Sequence, residues 1–295
     1  MTSDTLQLAK RSGRDRPFSI TAARRQPARL MSTAVLVVVG AAFALPFVWL
    51  VVASFQPGAG SSISTDWHLS LDNYRAVADW PTLIQPMVNS LFLAGGAATA
   101  TSVLASLAAY PLSRYNLRFR RPFLYVVIFA TGLPISAIMV PVYSLFAHFQ
   151  LTDSLLATAA FMTASSLPFA IWLMKNFMDA VPMSLEEAAW MDGAGWFTSL
   201  RYIVLPLMAP GIAVVFIFVF VLQWGDFFVP FILLIDPAKL PASVTIYSFF
   251  SAYGQAAYGQ LAAFAILYTA PVVCLYLVLS RFLGGSFSLT GAVKG

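Results

Sequence analysis

The chain has only two glutamates, Glu186 and Glu187, and they are adjacent, within the stretch Pro182 to Pro210 between two long apolar runs. A third acid, Asp226, lies inside an apolar run, in Leu222-Gln223-Trp224-Gly225-Asp226-Phe227-Phe228. A carboxylate at mid-helix costs about 2.5–3.5 kcal/mol on insertion scales, so Asp226 must face protein interior or water. With Gln223 and Trp224 it offers a hydrogen-bonding and stacking edge that would suit a sugar. A structural polar contact between helices, or a solvated place near the membrane surface, would accommodate it equally. Other chemistry is poorly supported. His68 and His148 are the only histidines and Cys274 the only cysteine. No His-x-x-x-His pair suggests a metal site, no nucleophile–base set is visible, and no intrachain disulfide can form. Cys274 lies in an apolar run and reads as a packed thiol. No Gly-x-x-x-x-Gly-Lys-Ser/Thr loop is present to cradle ATP phosphates, so an ATP-driven activity would need its ATPase on another subunit.

The stretch holding the glutamates is too long for a simple reversal of the chain. Ser184 followed by Glu187 has capping-box spacing, and Leu185 to Met191 has neither Gly nor Pro. Asp192-Gly193-Ala194-Gly195 suits a helix end and sharp turn. A second helical run, Trp196 to Leu205, precedes Pro206, a residue that can open a helix. The local chemistry predicts helix, turn, helix across the mouth of a membrane bundle. An amphipathic connector with no further role is the alternative.

These residues sit in a membrane protein. Hydrophobic residues make up 59% of the chain and charged residues 10%, with a mean hydropathy of +0.79. A soluble domain carries about 25% charged residues. Apolar runs of about 20 or more residues predict helical spans rather than barrel strands. The fold expected is all-α and polytopic, with about six spans. A basic tail, 1–29, precedes a first span at 30–54, in which Pro46 predicts a kink; a transit peptide is the minor alternative for the tail. A polar loop at 55–86 leads to a core at 87–283 and a tail at 284–295.

Within the core, the second span, 87–113, is rich in small residues, which favours close helix approach. It carries Asn89 near its outer end. Arg114, Arg118, Arg120 and Arg121 follow it and mark the cytosolic side, which puts both termini in the cytosol. The net charge of +5 is thus explained by span-flanking residues, without a nucleic-acid partner. The third span, 122–149, is expected to break at Pro134 and Pro141. Gly132, Pro134 and Ser136 fall at mid-depth, where irregular backbone is tolerated only within protein or beside a water-filled cavity; this points to a third span at a translocation path, with a proline kink in a span that lines nothing as the equal alternative. The fourth span, 154–178, carries Pro168 as a further expected break. The loop 182–206, a fifth span (206–235), an outer loop (236–260) and a sixth span (261–283) complete the core. Trp49, Trp67, Trp80 and Trp172 read first as interfacial or lipid-facing aromatics.

Glu187-Ala188-Ala189, then Asp192-Gly193-Ala194, then Leu205-Pro206 resembles the EAA loop of the permease subunits of binding-protein-dependent ABC importers. Asn73-Tyr74 before the second span, the Trp224–Asp226 segment and the Gly291-Ala292-Val293-Lys294-Gly295 tail are similar to the carbohydrate type, in particular to the second permease subunit of maltose-type importers. Gly225 stands where that type has an asparagine. The resemblance implies the type I importer permease fold in a bacterial inner membrane. It implies a second permease subunit, two ATP-binding subunits, an extracytoplasmic solute-binding protein and surrounding lipid as partners. ATP and Mg would sit on the ATPase, with no cofactor bound by this chain. Glu186, Glu187, Ala188, Ala189, Asp192, Gly193, Ala194, Leu205 and Pro206 would form or set the ATPase-docking loop. Asn89, Pro134, Ser136, Gln223, Trp224 and Asp226 are candidates for the solute path. Glycerol phosphate or another small polar solute is an alternative cargo. An ion-coupled secondary transporter would need more intramembrane charge than Asp226 alone, and a membrane-embedded enzyme would need a catalytic pair.

Overall fold

A computed structural model describes residues 20–57, 69–250 and 257–283, with side chains from residue 31 to residue 281. Lys10, Arg11, Arg14 and Arg16 of the basic tail, Trp67, His68 and the Gly291–Gly295 tail lie outside the described residues. The chain divides into two units, Met1–Leu50 and Val51–Gly295. The first contributes most of helix α1 (Ile20–Ser54), which runs unbroken past Pro46. Its stretch Met31–Ser54 is long and apolar enough for a span.

The described residues of the second unit form helices joined by turns and short loops. In chain order it contains α2 (Asp72–Val77), α3 (Trp80–Arg114), α4 (Arg120–Thr131), α5 (Ile135–His148), α6 (Leu155–Asp179), α7 (Met183–Met191), α8 (Trp196–Leu207), α9 (Ala209–Trp224), α10 (Phe228–Leu233), α11 (Ala242–Thr245) and α12 (Tyr258–Leu283). α1, α3, α6 and α12 are each long and apolar enough to cross a membrane. α4 with α5, bent by 95°, and α8 with α9, bent by 73°, bring the number of spans to six if each pair counts as one.

The seam of the unit is α3 against α6. Ala94, Ala97, Ala98, Thr101, Ala105 and Ala109 of α3 are essentially fully buried. Side chains this small let two backbones approach closely, which in lipid is the main source of helix association. Thr101 Oγ1 donates to the Thr163 carbonyl across the seam at 3.4 Å. α9 packs on both helices, and its Gly211 lies so close to α6 that a Cβ there would fall 2.6 Å from Phe177 Cγ. Asp79 caps α3 by accepting from the Thr82 amide at 2.9 Å, and Ser154 caps α6 by accepting from Ala157 at 3.3 Å.

The Asn73-Tyr74 segment acquires a structural role. Asn73 Nδ2 donates to the Ser54 and Gln56 carbonyls at 3.2 and 2.9 Å, and Tyr74 Oη lies 2.9 Å from Ser54 Oγ. α2 packs against the start of α12, where Gly259 leaves no room for a Cβ beside the Asn73 amide.

Several expectations are corrected. Pro141 and Pro168 sit inside unbroken helices, because neighbouring groups can absorb a lost amide bond in a span. Only the Gly132-Leu133-Pro134 segment interrupts the third span, with Pro134 extended at φ −66°, ψ 126°. α3 begins at Trp80, about two turns before Met87. The predicted fifth span is interrupted after Trp224 at Gly225-Asp226-Phe227. Cys274 is exposed on α12 and not packed, beside the exposed Val273 and Leu277.

Candidate functional site

The two glutamates, alike in sequence, are separated by the helix they share. In α7, Glu186 is fully buried while Glu187 is exposed, because adjacent helical positions point about 100° apart. Arg114, at the end of α3, places its Nε 2.5 Å from Glu186 Oε1. Tyr110 Oη donates to Glu186 Oε2 at 3.0 Å, and Arg114 Nη2 donates to the Val181 carbonyl at 3.1 Å. Beside this set, Ser113 Oγ donates to Asp179 Oδ1 at 2.6 Å, and Lys175 pairs with the other oxygen of the same carboxylate. Two basic and two acidic groups from α3, α6 and α7 thus neutralise one another at the arginine-flanked end of the bundle. Glu186, expected on the docking surface, is instead the internal fastening of the loop.

α7 does not use the capping box. Pro182 occupies the N-cap position and the helix starts at Met183, so Ser184 falls inside the first turn, and no side chain caps the helix. The C-terminus follows the sequence expectation. Gly193 has φ +86°, its amide donates to the Trp190 carbonyl at 3.0 Å, and the Ala194 amide donates to Ala189 at 2.9 Å. That pair of bonds is a Schellman turn, and the left-handed residue within it favours glycine. Glu187, Ala188, Asp192 and Gly193 are exposed around the turn, Ala189 and Ala194 half-buried, and Met191 stands almost entirely in the open. α8 then returns the chain. Leu200 and Val204, with Met208 just beyond, are buried against the core, Leu205 is half-buried, Pro206 exposed, and residues Leu200–Val204 form a π-turn.

The solute-path candidates divide. Gln223 and Asp226 line a cavity of about 510 Å3 between the break of the third span and the break after α9. Thr131, Leu133, Phe161 and Ser165 share its wall. Gln223 Nε2 is held by the Ser166 hydroxyl at 2.5 Å and the Met162 carbonyl at 3.2 Å. Asp226 Oδ1 accepts from the Phe228 and Val229 amides at 3.0 and 3.3 Å, which begins α10 and leaves the second oxygen for the cavity. Pro134 and Ser136 are exposed at the bend beside the cavity. Trp224 is buried away from it, stacked on Tyr268 at 5.5 Å with its Nε1 donating to the Tyr268 carbonyl. Asn89 is also buried, its amide donating to the Ala238 and Leu240 carbonyls at 3.0 and 3.1 Å. Asn89 and Trp224 therefore hold loops and helices in place.

One residue went unmarked in the sequence. Asp153, in the turn between α5 and α6, adopts φ +62°. Its Oδ1 accepts from the Ile235 and Asp236 amides at 3.0 Å each, its Oδ2 meets Lys239 Nζ at 2.7 Å, and its own amide donates to Leu233 at 2.8 Å. These partners, Lys239 foremost, hold the Asp153 carboxyl down at about 2, and the Lys239 ammonium is raised in return. The sequence signal is faint: an acid in a four-residue turn, and a lysine near the start of the outer loop. Among the described residues no cluster of His, Cys, Asp or Glu could hold a metal ion.

Fold and site define a multi-pass helical membrane protein that presents a fastened helix–turn–helix at one end and a mostly apolar cavity with a few polar groups between two broken spans. Residues 101–285 match the family described as binding-protein-dependent transport system inner membrane component, and the chain belongs to that family. The trehalose/maltose transport system permease protein MalG of Thermococcus litoralis is 29% identical over 85% of this chain and 91% of its own length. The trehalose transport system permease protein SugB of Mycobacterium tuberculosis is 28% identical over 85% and 92%. A chain of a bacterial ABC transporter involved in the import of the acidic polysaccharide alginate shares the fold, with a TM-score of 0.76 at 20% identity over 90% of this chain and 99% of that one.

Proposed function

We propose that this chain is one of two permease subunits of an ATP-driven importer for a neutral carbohydrate, moved by a separate ATPase that α7 and its turn engage. The observation that carries the reading is the division of labour in α7. Its buried face is bonded through Glu186 to Tyr110 and Arg114 of α3, which is itself bonded to the end of α6, while its exposed face and glycine turn make no such bond. An element fastened on one side and bare on the other transmits force from a docked partner into the spans. A passive connector would have no need of a buried ion pair. The exposed face, Glu187, Ala188, Asp192 and Gly193 with Ala189 and Ala194 beneath it, is the docking surface, and Leu205 and Pro206 set its angle to α9. ATP and Mg belong to the two ATP-binding subunits. A second permease closes the path, and an extracytoplasmic binding protein delivers cargo. Both termini lie in the cytosol with the arginine-flanked end.

The cavity supports the choice of cargo. Gln223, Ser165, Thr131 and the outward oxygen of Asp226 supply donors and acceptors, and Leu133 and Phe161 supply apolar wall, a mixture that suits sugar hydroxyls and ring faces. The Asp226 carboxylate would repel a phosphate ester, which disfavours glycerol phosphate. The printed names of MalG and SugB point the same way.

The test is site-directed crosslinking in the co-expressed complex. With Cys274 changed to serine, Asp192→Cys should crosslink to a cysteine-bearing ATPase, and Ser136→Cys should not. A crosslink from neither site would overturn the docking role. Uptake of labelled maltose and trehalose should fall in Gln223→Ala; unchanged uptake of both would overturn the cargo assignment while leaving the docking result intact.

A further inference from the structure

The turn between α3 and α4 borders an open cavity of about 510 Å3 lined by Asn116, Leu117, Arg118, Arg120, Arg121 and Leu124. Three guanidiniums around one cavity repel each other unless an anion sits among them. None of the three forms an ion pair among the described residues, where the four pairs use Arg75, Arg114, Lys175 and Lys239. The described acids at this end do not relieve them. Asp179 and Glu186 are already paired, and Glu187 and Asp192 are exposed on the loop. The cavity also lies where a span begins. From it α4 runs on with Tyr125, Val126 and Phe129 strongly exposed, an apolar flank of the kind that acyl chains cover.

We propose that this cavity seats the phosphate of an anionic membrane phospholipid, gripped by Arg118, Arg120 and Arg121, with its acyl chains along the exposed flank of α4. The tendency of basic residues to collect on the cytosolic side accounts for how many arginines are present. It does not require them to share a cavity. The planar guanidinium fork matches two phosphate oxygens at once, and basic pockets at the cytosolic side of spans are suited to lipid headgroups. A free phosphate would use the arginines and leave the apolar flank without a role. The assignment does not depend on the cargo or on the docking surface.

The full chain is reconstituted in nanodiscs of mixed phosphatidylcholine and phosphatidylglycerol, extracted in mild detergent, and its retained lipid measured by mass spectrometry. Phosphatidylglycerol should be enriched over its share of the nanodisc by about tenfold or more, because each arginine near the surface contributes roughly a fivefold preference. Arg118→Gln with Arg121→Gln should remove most of the enrichment, and Arg75→Gln, at the opposite end, should leave it unchanged. If the glutamine variant fails to insert, the triple lysine variant decides. It keeps the charge that orients the chain but loses the fork, and enrichment should fall about threefold or more. Equal enrichment in the wild type and in whichever variant inserts would overturn the proposal. So would displacement of the lipid by excess inorganic phosphate, which would make this a site for free anions.

Discussion

Removing the Glu186 carboxylate by Glu186→Ala is the most direct trial of the way the loop is held. The side chains of Arg114 and Glu186 are 5% and 0% exposed, so the substitution strands a guanidinium where water cannot reach it, and it also deprives Tyr110 of its acceptor. Breaking a buried pair from one side costs about 3–5 kcal/mol. Arg114 keeps its bond to the Val181 carbonyl, which places the expected cost near the lower figure, about 3 kcal/mol. At about 1.4 kcal/mol per tenfold, local opening of α7 should become about a hundredfold more frequent. Hydrogen exchange followed by mass spectrometry reads this directly, since protection of the Met183–Met191 amides reports the free energy of local opening. Glu187→Ala, on the exposed face, should change the rates by no more than about twofold, within the roughly 0.5 kcal/mol usual at the surface. Arg114→Met combined with Glu186→Leu should restore most of the protection, because exchanging both charges for packed apolar groups is often neutral. Exchange in Glu186→Ala within about threefold of wild type would refute the reasoning, and so would a double variant no better than the single one.

Gly193→Val forces a β-branched residue into φ +86° and should cost about 1–2 kcal/mol. Because no atom stands within 4 Å of its Cβ position, the loss should be one of turn geometry, seen in the reconstituted complex as ATP hydrolysis outpacing sugar uptake, with Gly193→Asn much milder. The Asp153–Lys239 latch should weaken in acid: the depressed Asp153 carboxyl contributes stability fully present above about pH 4, the ordinary aspartate value, and lost as pH falls toward about 2. Protection factors in residues 233–240, taken relative to the intrinsic exchange rate at each pH, should fall over that window in wild type and stay constant there in Asp153→Asn. Gly211→Ala brings a Cβ to 2.8 Å from Phe177 Cβ, near the backbone and unable to swing aside. The overpacking should cost about 1–3 kcal/mol and lower the melting temperature of the detergent-purified chain by several degrees.

Much of this fold is written in local patterns. Apolar run length predicted the long helices, Gly193 the turn it makes, and Gly132 with Pro134 the break in the third span. Where sequence reading failed, the deciding partner was remote. Glu186 is buried because Tyr110, 76 positions earlier, and Arg114 meet it there, and nothing local distinguishes it from Glu187. The capping box failed because Pro182 could open the helix two residues earlier at no cost in its own unpaired amide. Pro168 and Pro141 looked like breaks because proline disrupts helices in water, whereas neighbours in a bundle absorb the loss. Asn89 and Asp153 took their roles from carbonyls and amides in a distant loop, and Trp224 from the Tyr268 carbonyl of α12, partners that no spacing rule reveals.

The fastened loop and the cavity have no residue in common. Glu186, Arg114 and the glycine turn lie at one end, while Gln223, Asp226 and Ser165 line a chamber elsewhere in the same unit. On the roles proposed above, cargo preference and drive are separately adjustable: recarving the chamber for a different solute would leave the motor attachment untouched, and refitting the attachment to a foreign motor would not alter what is carried.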